Sequence, residues 1–185
     1  MIQTFLQPLD IEEALTLRRN HPTSAWYAGG TEINRLHTKL SPETVISLEK
    51  LKLAEISAEK TAVRIGAMAT FTELLENPLI PAWLKEAAAY CGSFARRNRA
   101  TIGGNLALLS EHSFLAPALL ASEALLVTAN LTEGGFYNED RVPIAEYFAH
   151  RSTHAGTLVL ALIIPTDRFV GSQRFALSVQ NYSAV

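Results

Sequence analysis

Apolar residues return every three or four positions in IEEALTLRRN, residues 11–20. Ile11, Ala14, Leu15 and Leu17 share one face, with charged residues opposite. Asp10 stands just before this segment and Glu13 three residues further on, the spacing of a capping box, so an amphipathic helix is predicted to start at Ile11. FLQPLD ahead of it reads as a short extended lead-in. SAWYA (24–28) reads as a strand running straight into Gly29-Gly30, followed by a helix or turn, and ETVISL (43–48) as a second strand.

The pattern then changes. TAVRIGAMATFTELLENP (61–78) reads as strand, turn and a helix stopped at Pro78, and PAWLKEAAAYCGSFA (81–95) as a helix with Pro81 in its first turn. ATIGGNLAL (100–108) is expected to be strand and turn. APALLASEA (116–124) reads as a helix with Pro117 near its start. ALLVTANL, RVPIAEYF and TLVLALIIP supply a strand, hairpin, helix and strand ending. The shift in pattern around AEISAEK (54–60) is the best candidate boundary, giving units 1–57 and 58–185.

One local pattern recurs. WYAGGTEINR (26–35) and ATIGGNLA (100–107) each place a Gly pair between apolar and polar residues. A Gly pair frees the backbone to take positive φ and removes two Cβ atoms, so N–H groups can converge on an anion. A single such turn is usually only a turn. Two of them suit a long ligand with a pyrophosphate, gripped twice. No G-x-G-x-x-G opens a helix and no G-x-x-x-x-G-K-[ST] occurs, so neither of those nucleotide folds is supported.

Composition narrows the field. The chain has 185 residues, 48% apolar and 18% charged, with a formal net charge of −2. That is globular, without a general attraction for nucleic acid or anionic membrane. The single cysteine, Cys91, excludes a disulfide framework and a cluster ligated by this chain alone; it suits a reducing, cytoplasmic setting. The N-terminus lacks a secretory signal pattern, and no run approaches the roughly 20 apolar residues that span a bilayer.

AGGTEI (28–33), RIGAMATFTEL (64–74) and RNRATIGGN (97–105), in this order and spacing, resemble the FAD-binding domain of the molybdenum hydroxylases, which include the flavin subunits of xanthine dehydrogenase and carbon monoxide dehydrogenase. The resemblance spans essentially the whole chain. It implies an α+β fold of two subdomains, a small N-terminal α/β unit and a larger one with a mainly antiparallel sheet, with FAD in the cleft between them. It implies that Tyr27, Ala28, Gly29, Gly30, Thr31, Glu32 and Ile33 form one cofactor loop and Thr101, Gly103, Gly104 and Asn105 the other. It implies an FAD-dependent oxidoreductase (a dehydrogenase subunit) that passes electrons from an iron–sulfur partner to NAD or another acceptor, alongside a molybdopterin-binding subunit. No side chain is assigned an acid or base role, and no metal site is expected. The sequence departs from the family pattern at Phe114, where an acidic residue is usual, and at Leu177, where a Lys is usual. The family's C-terminal domain is expected to be absent. Two rival readings follow: a scaffold or assembly module that has lost FAD, and a small nucleotide-binding regulatory domain.

Other candidates are weaker. His150 and His154 in HRSTH have metal-ligand spacing but no third ligand, and read as solvated. Ser110, Glu111 and His112 are adjacent and do not face one another as a nucleophile and base would. RRNR (96–99) abuts the second loop; a phosphate or acidic partner and a plain solvated face stay equally open. Cys91 is read as a small buried helix residue, and Trp26 and Trp83 as core.

Overall fold

The computed structural model describes residues 2–108, 113, 115–150, 152–167, 170, 173–176 and 181–184. Strands β1 (Thr4–Leu6), β2 (Ala25–Tyr27) and β3 (Thr44–Ser47) form a small parallel sheet in the order β1-β3-β2, with helix α1 (Ile11–Asn20) between the first two in sequence. Asp10 caps α1 by accepting from the Glu13 N–H at 2.8 Å. The Glu13 carboxylate reaches back to the Leu9 N–H, one residue earlier than the reciprocal bond of a capping box.

The larger sheet contains β4 (Ile56–Ala58), β5 (Ala62–Gly66), β6 (Leu125–Leu131), β7 (Tyr137–Pro143) and β8 (Leu158–Pro165), all antiparallel, in the order β4-β5-β8-β6-β7. β8 lies in the middle. Its residues Leu158 to Ile164 are all buried, which explains an unbroken apolar run in place of alternation: both faces of the strand are covered.

One face, carrying Leu126, Leu162 and Ile164, packs against helices α2 (Phe71–Glu76), α3 (Ala82–Ala89), α5 (Ile102–Ala107), α6 (Leu115–Ala121) and α7 (Ile144–Ala149); a short helix, α4 (Phe94–Arg97), lies between α3 and α5 in sequence. The other face, carrying Val127, Ala129, Leu160 and Ile163, is covered by Ala14 and Leu15 of α1 with Leu48 and Leu51 beyond β3. The N-terminal segment is thereby fastened to the larger sheet through shared apolar burial. Beyond β8 the backbone forms an antiparallel pair, β9 (Gln173–Ala176) and β10 (Asn181–Ala184).

Most predicted elements are present, with two corrections. The helix expected over 81–95 stops at Ala89; Gly92 takes φ 127°, and α4 restarts behind a Ser93 cap. Cys91 therefore sits past the helix end. The second correction is larger: ATIGGNLAL is helix α5, not strand and turn. Only Thr101 keeps a strand-like bridge, to Thr70. Thr101 is the N-cap, its hydroxyl accepting from the Gly104 N–H, and Ile102 and Leu106, four residues apart, are both buried.

The candidate cofactor loops

The first loop leaves β2 at Tyr27 and turns through Gly29-Gly30 into a tight turn over residues 31–34. Gly30 takes φ +69°, a conformation that side chains resist. Its carbonyl accepts from the Asn34 N–H at 3.0 Å, and the Glu32 carbonyl accepts from Arg35 at 3.1 Å. The Asn34 amide donates to the Tyr27 hydroxyl at 2.8 Å, closing the loop from one side, while Phe5 packs edge-on to the Tyr27 ring. The N–H groups of Gly29, Gly30, Thr31, Glu32 and Ile33 donate to nothing among the described residues, although all five residues are half-buried.

The second loop is built differently. Ile102 donates to the Ala69 carbonyl and Gly103 to the Ala67 carbonyl, each at 2.9 Å; Gly104 donates to the Thr101 hydroxyl, and Asn105 to the Thr101 carbonyl. The backbone donors from Ile102 to Asn105 are thus already used. Gly103 serves close packing, since a Cβ there would lie 2.6 Å from that of Ala67. Side chains remain: Asn105 accepts from the Ser113 hydroxyl through its carbonyl oxygen at 2.8 Å, leaving its amide NH2 facing no bond among the described residues.

The two loops meet. A Cβ on Gly29 would collide with the Arg99 carbonyl, and one on Gly104 would sit 3.8 Å from the Cβ of Ala28. Arg99 donates from Nε to the Gly29 carbonyl at 3.3 Å. Glu32 pairs with Arg35 at 2.9 Å and with Arg96 at 3.5 Å. The RRNR run is therefore neither a plain solvated face nor free: Arg96 and Arg99 brace the first loop, and Arg97 donates to the Ala89 and Gly92 carbonyls behind α3. Asn34 and Ala67 are site-building residues that the sequence does not single out, whereas for the arginines it leaves an acidic or phosphate partner and a solvated face both open, and Arg96 has an acidic partner in Glu32. The charge run beside a Gly pair was the sequence signal for the arginines.

The remaining candidates fall away from this place. Trp26 donates from its indole N–H to the Gly156 carbonyl at 2.8 Å and packs on the α1 side of the sheet, while Trp83 packs on the helical side. The His154 ring lies against Tyr147, with centroids 5.0 Å apart. Among the described residues no group of three or more His, Cys, Asp or Glu is arranged to hold a metal ion. Ser110, Glu111, His112, Phe114 and Leu177 lie outside the described residues.

Cys91 donates weakly to the Ala87 carbonyl, and burial pushes its thiol up from 9.0 to about 12, against the opposing pull of Arg96 and Arg97. At pH 8 its alkylation by iodoacetamide is expected to be about thirtyfold slower than in unfolded chain, once the higher intrinsic nucleophilicity of a more basic thiolate is allowed for. Equal rates in the native and urea-unfolded protein would contradict this.

A small parallel sheet is thus docked on a larger antiparallel one, and the two Gly-Gly segments meet. Residues 1–167 match the model of the FAD binding domain in molybdopterin dehydrogenase, and the chain belongs to that family. It is 38% identical over 150 residues to YgfM of Escherichia coli strain K12, covering 80% of this chain and 55% of that protein. It is 36% identical over 133 residues to the nicotinate dehydrogenase FAD-subunit of Eubacterium barkeri, covering 66% and 44%. The chain thus spans about half the length of these relatives. The fold superposes on a chain of carbon monoxide dehydrogenase from Hydrogenophaga pseudoflava with a TM-score of 0.82 at 21% identity, covering 99% of this chain and 67% of that one. The α+β class read from the sequence is the observed one. Among the described residues no helix is long and apolar enough to cross a membrane.

Proposed function

We propose that the first loop holds the pyrophosphate of FAD, and that the chain is the flavin-bearing part of an oxidoreductase fed by an iron–sulfur partner and discharged by NAD or another acceptor. The observation that carries this is a run of five half-buried residues, Gly29 to Ile33, whose backbone N–H groups have no partners among the described residues. Such groups are normally satisfied, and an anion set in the concavity of successive N–H groups satisfies several at once. The turn suits such a cradle: Gly30 supplies its left-handed conformation, and the places a Cβ would take at Gly29 and Gly30 are filled by the Arg99 carbonyl and by Tyr27 with Asn34, so the loop holds its shape only with glycine there.

When bound, FAD supplies the electron-accepting and electron-donating chemistry. The chain's own residues bind and orient it. Gly29 to Ile33 provide backbone donors, Thr31 adds a hydroxyl, and Tyr27 with Asn34 keeps the turn closed. From the second loop, Thr101 and Gly103 set the position of α5, and Asn105 offers an amide donor. The units 1–57 and 58–185 would flank the cofactor as the two subdomains. With one cysteine the chain holds no cluster of its own, so iron–sulfur and molybdopterin-binding subunits are the partners this reading requires, in a cytoplasmic setting.

Titration of the purified chain with FAD tests the reading. Saturable binding at one flavin per chain, with a perturbed visible spectrum, is the expected outcome. A chain that stays colourless and leaves the FAD spectrum unchanged at saturating flavin would overturn it in favour of the scaffold reading.

A further inference from the structure

We infer that Arg96 is a positioning residue: acting through Glu32, it holds the first Gly-Gly loop in its binding shape, and Glu32 braces the loop in place of touching the cofactor. This rests on the flavin reading for its consequence but not for its geometry. Both Glu32 carboxylate oxygens are engaged, Oε1 by Arg35 and Oε2 by Arg96, and the Glu32 side chain is only 20% exposed. Arg35 belongs to the loop's own turn; Arg96 comes from α4, far along the chain, so only the second pair ties the loop to the rest of the molecule.

Arg96 is itself aimed. Gly92 takes φ 127°, and the place where its Cβ would be is filled by the Arg96 stem, with Cδ 2.9 Å and Cβ and Cγ 3.4 Å from that point. The stem lies across Gly92 and directs the guanidinium to Glu32. Three residues on, Arg99 donates to the Gly29 carbonyl and its own carbonyl lies against the Gly29 Cα. One segment, 96–99, thus grips both ends of the loop and uses a carboxylate and a carbonyl to do so. None of the five N–H donors is consumed. An ordered loop has less conformational freedom left to lose when a ligand binds, which is how bracing raises affinity without touching the ligand.

The test is a double-mutant cycle with two readouts on the full chain. Arg96→Gln and Glu32→Gln are each expected to weaken FAD affinity roughly two- to fivefold, the range an exposed ion pair supports. The double variant should be no weaker than Glu32→Gln alone. Arg96→Lys should fall between parent and Arg96→Gln, because it keeps the charge and loses the fork. The second readout needs no flavin: hydrogen exchange of the Asn34 and Arg35 amides, bonded to Gly30 and Glu32 within the loop, should accelerate by a similar factor in Arg96→Gln and no further in the double variant. Additive losses of affinity, or exchange unchanged by Arg96→Gln, would overturn the brace and return Glu32 to direct contact with the cofactor. A parent that takes up no flavin would sink the flavin reading, and the exchange data would then decide the brace alone.

Discussion

A Gly30→Val variant is expected to fold and to lose FAD affinity by at least about a hundredfold. Gly30 sits at φ +69°, where a β-branched side chain is strongly disfavoured. A Cβ there would also meet the Tyr27 hydroxyl and lie 2.8 Å from the Asn34 amide nitrogen, forcing apart the bond that closes the loop. The loop must open, and its N–H groups then diverge. Hydrogen bonds to a charged acceptor contribute about 1.5–3 kcal/mol each, so losing two corresponds to about 3–6 kcal/mol, a hundredfold or more in affinity. The damage stays local, because the loop is half-buried at the surface and neither apolar cluster depends on Gly30. FAD titration and thermal unfolding of variant and parent check both halves. A folded variant with parental affinity would remove this loop from the site.

Gly103→Ala is expected to act on the fold, lowering stability by about 2 kcal/mol. Two effects oppose each other. Alanine is the better helix former, worth about 1 kcal/mol over glycine in a helix interior. Against that, the new Cβ would lie 2.6 Å from the Ala67 Cβ, 2.7 Å from its carbonyl oxygen and 3.0 Å from its Cα. Two of these three are backbone atoms, and the Ala67 carbonyl also accepts the Gly103 N–H. Neither partner can step aside, so the overpacking cost of about 1–3 kcal/mol applies at or above its upper end and outweighs the propensity gain. Urea denaturation measures the difference, and an unchanged midpoint would show that α5 can slide off Ala67. Gly104 is a separate case. Its N–H belongs to the Thr101 cap, so Gly104→Val would disturb that hydroxyl and press toward Ala28 without removing a phosphate donor.

Where each element could be read from the chain has a physical explanation. β8 and α1 were plain because their burial repeats along the sequence: an unbroken apolar strand, and a three-to-four spacing behind Asp10. α2 was legible from the stop at Pro78; its Thr70–Glu73 capping box is a feature the structure adds. α5 was hidden because two of its six residues are glycines, which local preference assigns to turns. What makes it helical is tertiary: the Thr101 cap, and Ile102 and Leu106 buried under the sheet. In the site the same division holds. The Gly pairs were visible, but not that one leaves its N–H groups open while the other uses them up, since the acceptors Ala67 and Ala69 lie far from Gly103 in sequence. Nor can a run of four basic and polar residues say which guanidinium turns toward Glu32.

The central place of β8 bears on how the chain is made. β5 and β6 do not pair with each other; each waits for β8, which is the last of the five strands to be synthesised. Until Leu158–Pro165 has left the ribosome, the α1 side of the sheet lacks Leu158, Leu160, Ala161 and Ile163, more than a third of the buried residues in that cluster. Ala14 and Leu15 are made more than a hundred residues before β8 and must wait that long for these neighbours. A nascent chain held in that state exposes apolar surface and two unpaired strand edges, which makes it a natural client for chaperones.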